Sequence, residues 1–410
     1  MRFARAVLCW LVLLVEGWRF PVIEAPVGDP IENLLSPRAL RHPASAWEPF
    51  RRREGLWWSE VLGSWVAASL QDCSTVLADA DRFCSDWRRL GEDTPDAALS
   101  VQTVDPPEHT AVRALLVHAF RTLDWDGVRR RLADNVEHRV AALADRPSFD
   151  FMAEFAAPLA LDTITDVLGV DPPEGHGFHG ISADIVDSMD YALRPETVEP
   201  GRVARAALAE LAGRWLDRPV PGRGVAGHLA AHRDAEPVDE LVLRNSLRVV
   251  LHSGYESAAR LLGNALLACL DFPGSWDALA GGVTDTALHE LVRYAGPVQA
   301  EARGCLQDTE VNGHPVRRGE VVTVLIAAAN RDERVFDDPD SLRLDRKPNP
   351  HLGFGRGPHA CLGAPLALLL TGTVLDALTR RHRPLRLLAE PQFRRNATLR
   401  GLDRLDLGWG

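Results

Sequence analysis

Apolar residues recur at helical spacing along most of this chain and alternate along only a few short stretches, which predicts a mainly α-helical protein with small β-sheets. Helical runs are expected over 47–53, 72–81, 126–143, 151–168, 175–189 and 202–216. The break Gly169-Val170-Asp171-Pro172-Pro173 closes the fourth, since glycine followed by paired prolines stops a helix. The longest run begins near Pro237 and reaches about Asp271. Alternation over 56–61 and 65–68, around Leu62-Gly63-Ser64, predicts a hairpin. It returns over 298–304 and 320–325, with Asn312-Gly313 as another hairpin turn, and in Leu385, Leu387 and the closing Leu-Asp repeats. Two segments show neither period: the polar stretch 83–102, and the link 190–201 with Pro195 and Pro200.

Composition narrows the class. The chain has 410 residues, 46% hydrophobic and 25% charged, so a packed core is assured and length alone suggests two or three domains. Its formal charge of -11 argues against nucleic acid and anionic membranes as partners, and favours small molecules and a redox protein. Six cysteines without framework spacing read as a reduced, cytoplasmic protein. Lys347 as the single lysine, beside abundant arginine, alanine, glycine and proline, suggests a GC-rich bacterial coding sequence. Arg2 and Arg5 before the apolar run 6–15 imitate a signal peptide, but Glu16 interrupts it and no small-residue cleavage site follows. Residues 1–46 are therefore read as an N-terminal lead-in, either a mis-assigned start or a short packed extension, and 47–410 as the folded domain.

The chemistry concentrates in Phe354-Gly355-Arg356-Gly357-Pro358-His359-Ala360-Cys361-Leu362-Gly363. Gly355 and Gly357 permit positive φ, so the loop can fold back and aim N–H groups at the Cys361 sulfur. The apolar periodic run Leu362, Leu366, Leu369, Leu370, Val374, Leu375, Leu378 follows at once, placing Cys361 at the positive end of a helix dipole that favours thiolate. A lone cysteine in such a loop is most often structural. Zinc is a competing reading, but it wants about four clustered ligands and only His359 is near.

As a whole this pattern resembles the haem-binding signature of the cytochrome P450 family. The resemblance covers about Trp47 to the C-terminus and implies one large domain of that fold, with haem b between the long central helix and the cysteine loop. It implies Cys361 as the iron ligand, Phe354 shielding the sulfur, and Gly363 letting backbone approach the porphyrin. Thiolate ligation favours O–O cleavage. Asp105-Pro106-Pro107-Glu108-His109 marks a helix start, and His109 and Arg113 share one face of that helix. The bland reading of the pair is a solvated face, but the family implies His109, Arg113, Arg303 and His359 as partners of the haem propionates. The centre of the long helix, His252-Ser253-Gly254-Tyr255-Glu256-Ser257-Ala258, resembles the oxygen-activation motif of small residue, Gly, any residue, acid, Thr, Thr. It departs in carrying Ser257 for the first hydroxyl and Ala258 for the second. Gly254 is expected to make room beside the haem, Ser257 to relay protons through a hydroxyl bonded back to Ser253, and Glu256 to connect that relay to solvent, with a salt bridge as its alternative. Glu290 and Arg293 form Glu-x-x-Arg, with Arg346 as the third member of a structural triad; Glu48 and Arg51 share that spacing, so order rather than spacing carries the assignment. Ala329-Asn330-Arg331-Asp332 also matches the family. By the same resemblance 83–102 overhangs the substrate pocket and 190–201 is a lid.

The expectation is a haem-dependent monooxygenase that inserts one oxygen atom from O2 into a small organic substrate, tailoring a bacterial specialised metabolite. Oxidative coupling, isomerisation or peroxide-driven chemistry is the alternative that the altered motif keeps open, and a non-catalytic haem binder is the other class. No flavin or iron-sulfur segment is recognisable, so a ferredoxin and its reductase are expected to supply electrons to a monomer. Arg356, Arg380, Arg381 and Arg383 are the candidate docking patch, with a solvated helix end as the equal alternative.

Overall fold

A computed structural model of the chain describes residues 29–173, 177–218, 222–233, 238–381 and 383–410. The segment with Arg2, Arg5 and Glu16 and the expected helix starts at Gly175 and Pro237 lie outside those residues. The helix Glu240–Asp271 runs through the middle of the fold. Asp239 caps it, its carboxylate accepting the Leu241 and Val242 N–H groups where the helix dipole also favours negative charge. Helices Ala157–Leu168, Val198–Asp217, Asp285–Ala295 and Ala364–Thr379 all pack on it. Buried residues therefore occur around most of its circumference, as expected of a helix at the centre of a core.

Gly254 shows why one side chain had to go. A Cβ there would lie 2.5 Å from Ile164 Cδ1, so glycine allows Ala157–Leu168 to cross the long helix closely. Ile164 packs against the side of Gly254 where a Cβ would point, while Gly254 itself lines the cavity described below. Ala157–Leu168 follows one π turn, Met152–Ala156, and ends at Gly169, whose φ of 74° allows its N–H to reach the Thr165 and Asp166 carbonyls.

The hairpin Trp57–Ser59 and Ser64–Ala67 leads a five-stranded sheet that continues through Val321–Val324, Glu301–Cys305 and Phe83–Cys84. Ser64–Ala67 runs parallel to Val321–Val324, with Trp65 opposite Val322, while Arg303 faces Val322 from the antiparallel side. Asn312 and Gly313, at φ of 48° and 83°, turn the hairpin Thr309–Val311 and His314–Val316. Asp406–Trp409 returns between Phe149–Asp150 and Leu385–Leu387.

Two sequence boundaries change. Ile31 and Leu34 share a core cluster with Trp47, Phe50, Leu62 and Val66, and buried Asp29 accepts from Ser59 Oγ at 2.8 Å. Residues 29–46 thus pack against the body of the fold. The supposed lid 190–201 is anchored: helix Val198–Asp217 begins inside it, and the buried Asp190 carboxylate accepts the Ala397 and Thr398 N–H groups at 2.5 and 3.0 Å. A carboxylate cannot be buried without such donors, and these tie the link to the C-terminal segment.

Candidate functional site

Between the long helix and the cysteine loop lies a cavity with ≈ 1860 Å³ of unfilled space, its mouth included. Val249, Val250, Ser253, Gly254, Ser257 and Ala258 line it from the helix, and Phe354, Gly355, His359, Ala360, Cys361 and Gly363 from the loop. The loop closes on itself: Cys361 N–H donates to the Phe354 carbonyl and Gly355 N–H to the Leu352 carbonyl, both at 2.8 Å. Gly357, at φ 74°, approaches the Leu77 carbonyl so closely that a Cβ would sit 2.5 Å from it. The loop then enters Ala364–Thr379 through Gly363.

Cys361 carries a free thiol whose exposed surface faces this cavity, with protein around the rest of it. That enclosure raises its pKa, and the Gly363 and Ala364 N–H groups and the Arg113 charge offset only part of the rise. Burial is the largest of these influences on the thiol, and the N–H groups at the start of the following helix act against it. Phe354 lies edge-on to His289, whose ring is hydrogen-bonded to His351 at 2.9 Å.

The four proposed cationic or donor residues differ in their surroundings. Arg113 lines the cavity, donates Nη2 to the Ala360 carbonyl at 2.6 Å and has no carboxylate partner among the described residues. His359 also lines it, with both ring nitrogens buried and without a hydrogen bond. Its Nε2 stands 3.5 Å from Asp105 Oδ1, an ion contact too poorly aligned to be a hydrogen bond. Arg303 lines the cavity too, but Glu301 already holds it at 2.7 Å. His109 stands behind His359, ring centroids 4.2 Å apart, and does not line the cavity. Burial, then His359 and Arg113, push its pKa down to about 4.

On the long helix, Ser257 Oγ donates to the Ser253 carbonyl at 2.6 Å while the helix continues unbroken. Glu256 points elsewhere. It is buried, accepts from Ser182 Oγ at 2.6 Å and Arg260 Nε at 2.9 Å, and is absent from the cavity wall. Burial would raise its pKa, but Arg260, His252 and Ser182 outweigh that and hold it below the ordinary range. The geometry therefore gives Glu256 its salt-bridge alternative rather than the relay.

Glu290, with no exposed surface, accepts from Arg293 Nε and Nη2 at 2.7 and 2.8 Å and from Arg346 Nε at 3.1 Å. The spare guanidinium donors go to the Asn330, Pro339 and Ser341 carbonyls from Arg293, and to those of Asp337 and Asp338 from Arg346. Asn330 Oδ1 in turn takes the Leu352 N–H at 2.7 Å, carrying the network to the cysteine loop. Glu48 and Arg51 make no such pair: Arg51 bonds Asp340, and Glu48 pairs with Arg52. In the docking patch, Arg380 and Arg381 share Glu137 and Arg383 donates to the Ala144 carbonyl, leaving exposed Arg356 without an ion pair among the described residues.

A family model described as Cytochrome P450 matches residues 282–384. Nocardicin C N-oxygenase of Nocardia uniformis subsp. tsuyamanensis is 34% identical over 403 residues, covering 94% of this chain and 98% of that protein. The chain belongs to the cytochrome P450 family. Erythromycin C-12 hydroxylase of Saccharopolyspora erythraea is 31% identical across 79% of this P450 and 83% of its own length. Ligand-free CYP164A2 of Mycobacterium smegmatis shares the fold with a TM-score of 0.82 at 31% identity, covering 92% of this chain and 99% of that one. These named oxygenases and hydroxylases make the chain a monooxygenase by family, and among the described residues no helix is long and apolar enough to cross a membrane.

The P450 family's cofactor is a haem held by a cysteine thiolate, and the residues present fit it. The free thiol of Cys361 faces the cavity, and a Cβ on Gly363 would meet only that sulfur, at 3.9 Å. Arg113 offers a charge that no carboxylate answers among the described residues, and His359 offers ring nitrogens without a hydrogen bond, both suited to carboxylates. The sequence reading passed over Asp105, taken as part of a helix start. The helix begins at Glu108 without a side-chain cap, and buried Asp105 instead accepts the Ser85 and Asp86 N–H groups at 3.0 and 3.2 Å beside His359. Burial raises its pKa, but His359, those N–H groups and Arg89 outweigh it, so Asp105 holds a negative charge beside His359. An acid just before two prolines carried no signal for that role.

Proposed function

We propose that this P450 binds haem b with the Cys361 thiolate as iron ligand and inserts one atom of O2, by hydroxylation or epoxidation, into a small specialised metabolite. The observation that carries the reading is one cavity lined by the Cys361 thiol, Arg113 without a carboxylate partner among the described residues, His359 with ring nitrogens free of hydrogen bonds, and the Ser257 hydroxyl. Arg113 and His359 receive the propionates, Arg303 adds charge while tethered to Glu301, and His109 backs His359. Haem, when bound, supplies the oxygen-activating chemistry. The Gly363 and Ala364 N–H groups hold negative charge on Cys361. The Glu290, Arg293 and Arg346 network keeps the loop in place, a structural task. Ser257 Oγ turns its proton from the Ser253 carbonyl into the cavity, while apolar Leu261, Ile164 and Val292 exclude water around it.

The two relatives are named a nocardicin C N-oxygenase and an erythromycin C-12 hydroxylase, and those names support oxygenation of a specialised metabolite as the class here. Electrons come from a ferredoxin and its reductase, in the cytoplasm, to a monomer whose exposed Arg356 lies on the cysteine loop. Ala258 lines the cavity where the family carries a second hydroxyl, and this favours a second reading, peroxide-driven or coupling chemistry. Turnover with a surrogate ferredoxin and reductase, against hydrogen peroxide alone, separates the two. Product from the ferredoxin system supports the first, product from peroxide alone the second, and neither with any substrate tried leaves a haem binder. The thiolate assignment has its own readout: reduced protein with carbon monoxide should show the red-shifted Soret band, and a histidine-type spectrum in folded protein overturns it.

A further inference from the structure

Behind the cavity wall lie two arginines and a histidine that the mechanism does not use. Arg248 and His252 stand one turn apart on the long helix, each 6% exposed. Arg205 reaches toward them from Val198–Asp217, close enough that the charges of both arginines act on His252 and that of Arg248 on Arg205. Their hydrogen bonds are few. Arg248 Nη2 donates to the Ala97 carbonyl at 2.8 Å, Arg205 Nη2 to Ser188 Oγ at 2.9 Å, and His252 Nε2 lies 3.4 Å from the Ser182 carbonyl. Arg248 Nε and Arg205 Nη1 are shut off from solvent and have no partner.

The missing element is a negative charge. Buried Arg51, Arg260, Arg293, Arg303, Arg331 and Arg346 each meet a carboxylate, whereas Arg248 meets none among the described residues. Glu256, the acid whose field reaches His252, is committed to Arg260 and Ser182. Burial lowers Arg205 to about 9 and Arg248 to about 10, values at which both stay charged near neutrality. Removing a guanidinium from water without a counter-ion opposes folding, and two side by side repel each other.

We propose that Arg205, Arg248 and His252 form a subsite for an oxyanion, a carboxylate or phosphate, at one end of the ligand that occupies the cavity. Position supports this. Val249 and Ser253, which line the cavity, directly follow Arg248 and His252 on the same helix, so these two lie on the face behind the wall, and neither they nor Arg205 line the cavity itself. The turn Asp96–Ala98, whose carbonyl Arg248 uses, runs within a few residues into the cavity-lining Val101, Gln102 and Thr103. A guanidinium fork matches either oxyanion with two parallel bonds, and Arg248 would exchange a neutral carbonyl for a charged acceptor. The inference rests on the proposed function only in taking the cavity as the substrate site.

The test uses haem-loaded wild type, Arg248→Met, Arg248→Lys and Arg205→Met. Melting temperature is measured with inorganic phosphate against chloride at equal ionic strength, and the Soret band is titrated with decanoate and with methyl decanoate. Phosphate or decanoate should raise the melting temperature of wild type but not of Arg248→Met, with Arg248→Lys between them. Without anion, the methionine variants should melt at or above wild type, because an uncompensated charge has been removed. Decanoate should bind Arg248→Met about tenfold more weakly, the ester equally to both. A response to decanoate alone assigns a carboxylate, and one to phosphate alone a phosphate ester. No stabilisation of wild type beyond chloride, or a less stable Arg248→Met with an unchanged anion response, overturns the subsite. The carbon monoxide spectrum of each protein reports the haem assignment separately, so a failure of one reading is not mistaken for a failure of the other.

Discussion

Around Glu290, two arginines share one carboxylate and spend their remaining donors on carbonyls of the 330–341 segment. Around Arg248, two arginines and a histidine share no carboxylate and leave two nitrogens without a partner. Both groups are buried and cationic. The first is closed, every charge answered from within the chain, and it holds the cysteine loop. The second is open, and an open set of buried charges marks where something from outside the chain is to be received. Burial and residue type do not separate scaffold from binding site here; satisfaction of the donors does.

The largest effect expected is on the scaffold side of the cavity. Cys361→Ser should abolish the red-shifted carbon monoxide band outright, and a variant that kept it would remove Cys361 as the ligand. Glu290→Gln strands two guanidinium groups in the closed network and should cost about 3–5 kcal/mol, read from the midpoint of denaturant unfolding. A smaller loss would mean that the carbonyls alone hold Arg293 and Arg346.

Acid separates the two regions next. Burial pushes both His351, near the closed network, and His252, in the open one, down to about 4. The unfolded chain, with histidines near an ordinary ~6.5, takes up protons first as pH falls. Stability is therefore fully present above about pH 6.5 and lost as pH drops toward 4, by about 1–3 kcal/mol per histidine. His351→Asn should flatten the slope of melting temperature against pH with or without phosphate. The His252 share should shrink only when phosphate is present, since a bound anion favours the protonated ring.

The smallest change in stability carries the sharpest functional distinction. Ser257→Ala should leave the melting temperature nearly unchanged yet raise hydrogen peroxide several-fold per NAD(P)H consumed, whereas Ser257→Thr should keep or improve coupling. Glu256→Gln should do the reverse, destabilising through stranded Arg260 with coupling intact. Equal uncoupling by both would restore Glu256 to the relay.

Much of this was legible in one dimension because its causes are local. The long helix, the Asn312-Gly313 turn and the stop at Gly169 follow from periodicity and from residues that tolerate positive φ. The cysteine loop was readable because its glycines, cysteine and following helix are contiguous. Glu-x-x-Arg was readable only in its order along the chain, as Glu48 and Arg51 show by making no pair.

What the amino-acid order determined by itself, then, was the mainly α class, the cysteine loop and the identity of the residues able to bear charge. The tertiary structure alone decided which charges are answered. Glu256 became a salt-bridge partner because Arg260 and Ser182 close on it from its own helix and a neighbouring one. Asp105 became a buried charge beside His359, and the 190–201 link a fixed connection, through partners far along the chain. Gly254 yielded its space to Ile164. Arg205 and Arg248 became a site because no acid was folded in beside them. Desolvation and pairing depend on what surrounds a group in space, and sequence spacing carries that information only within a turn or two of helix.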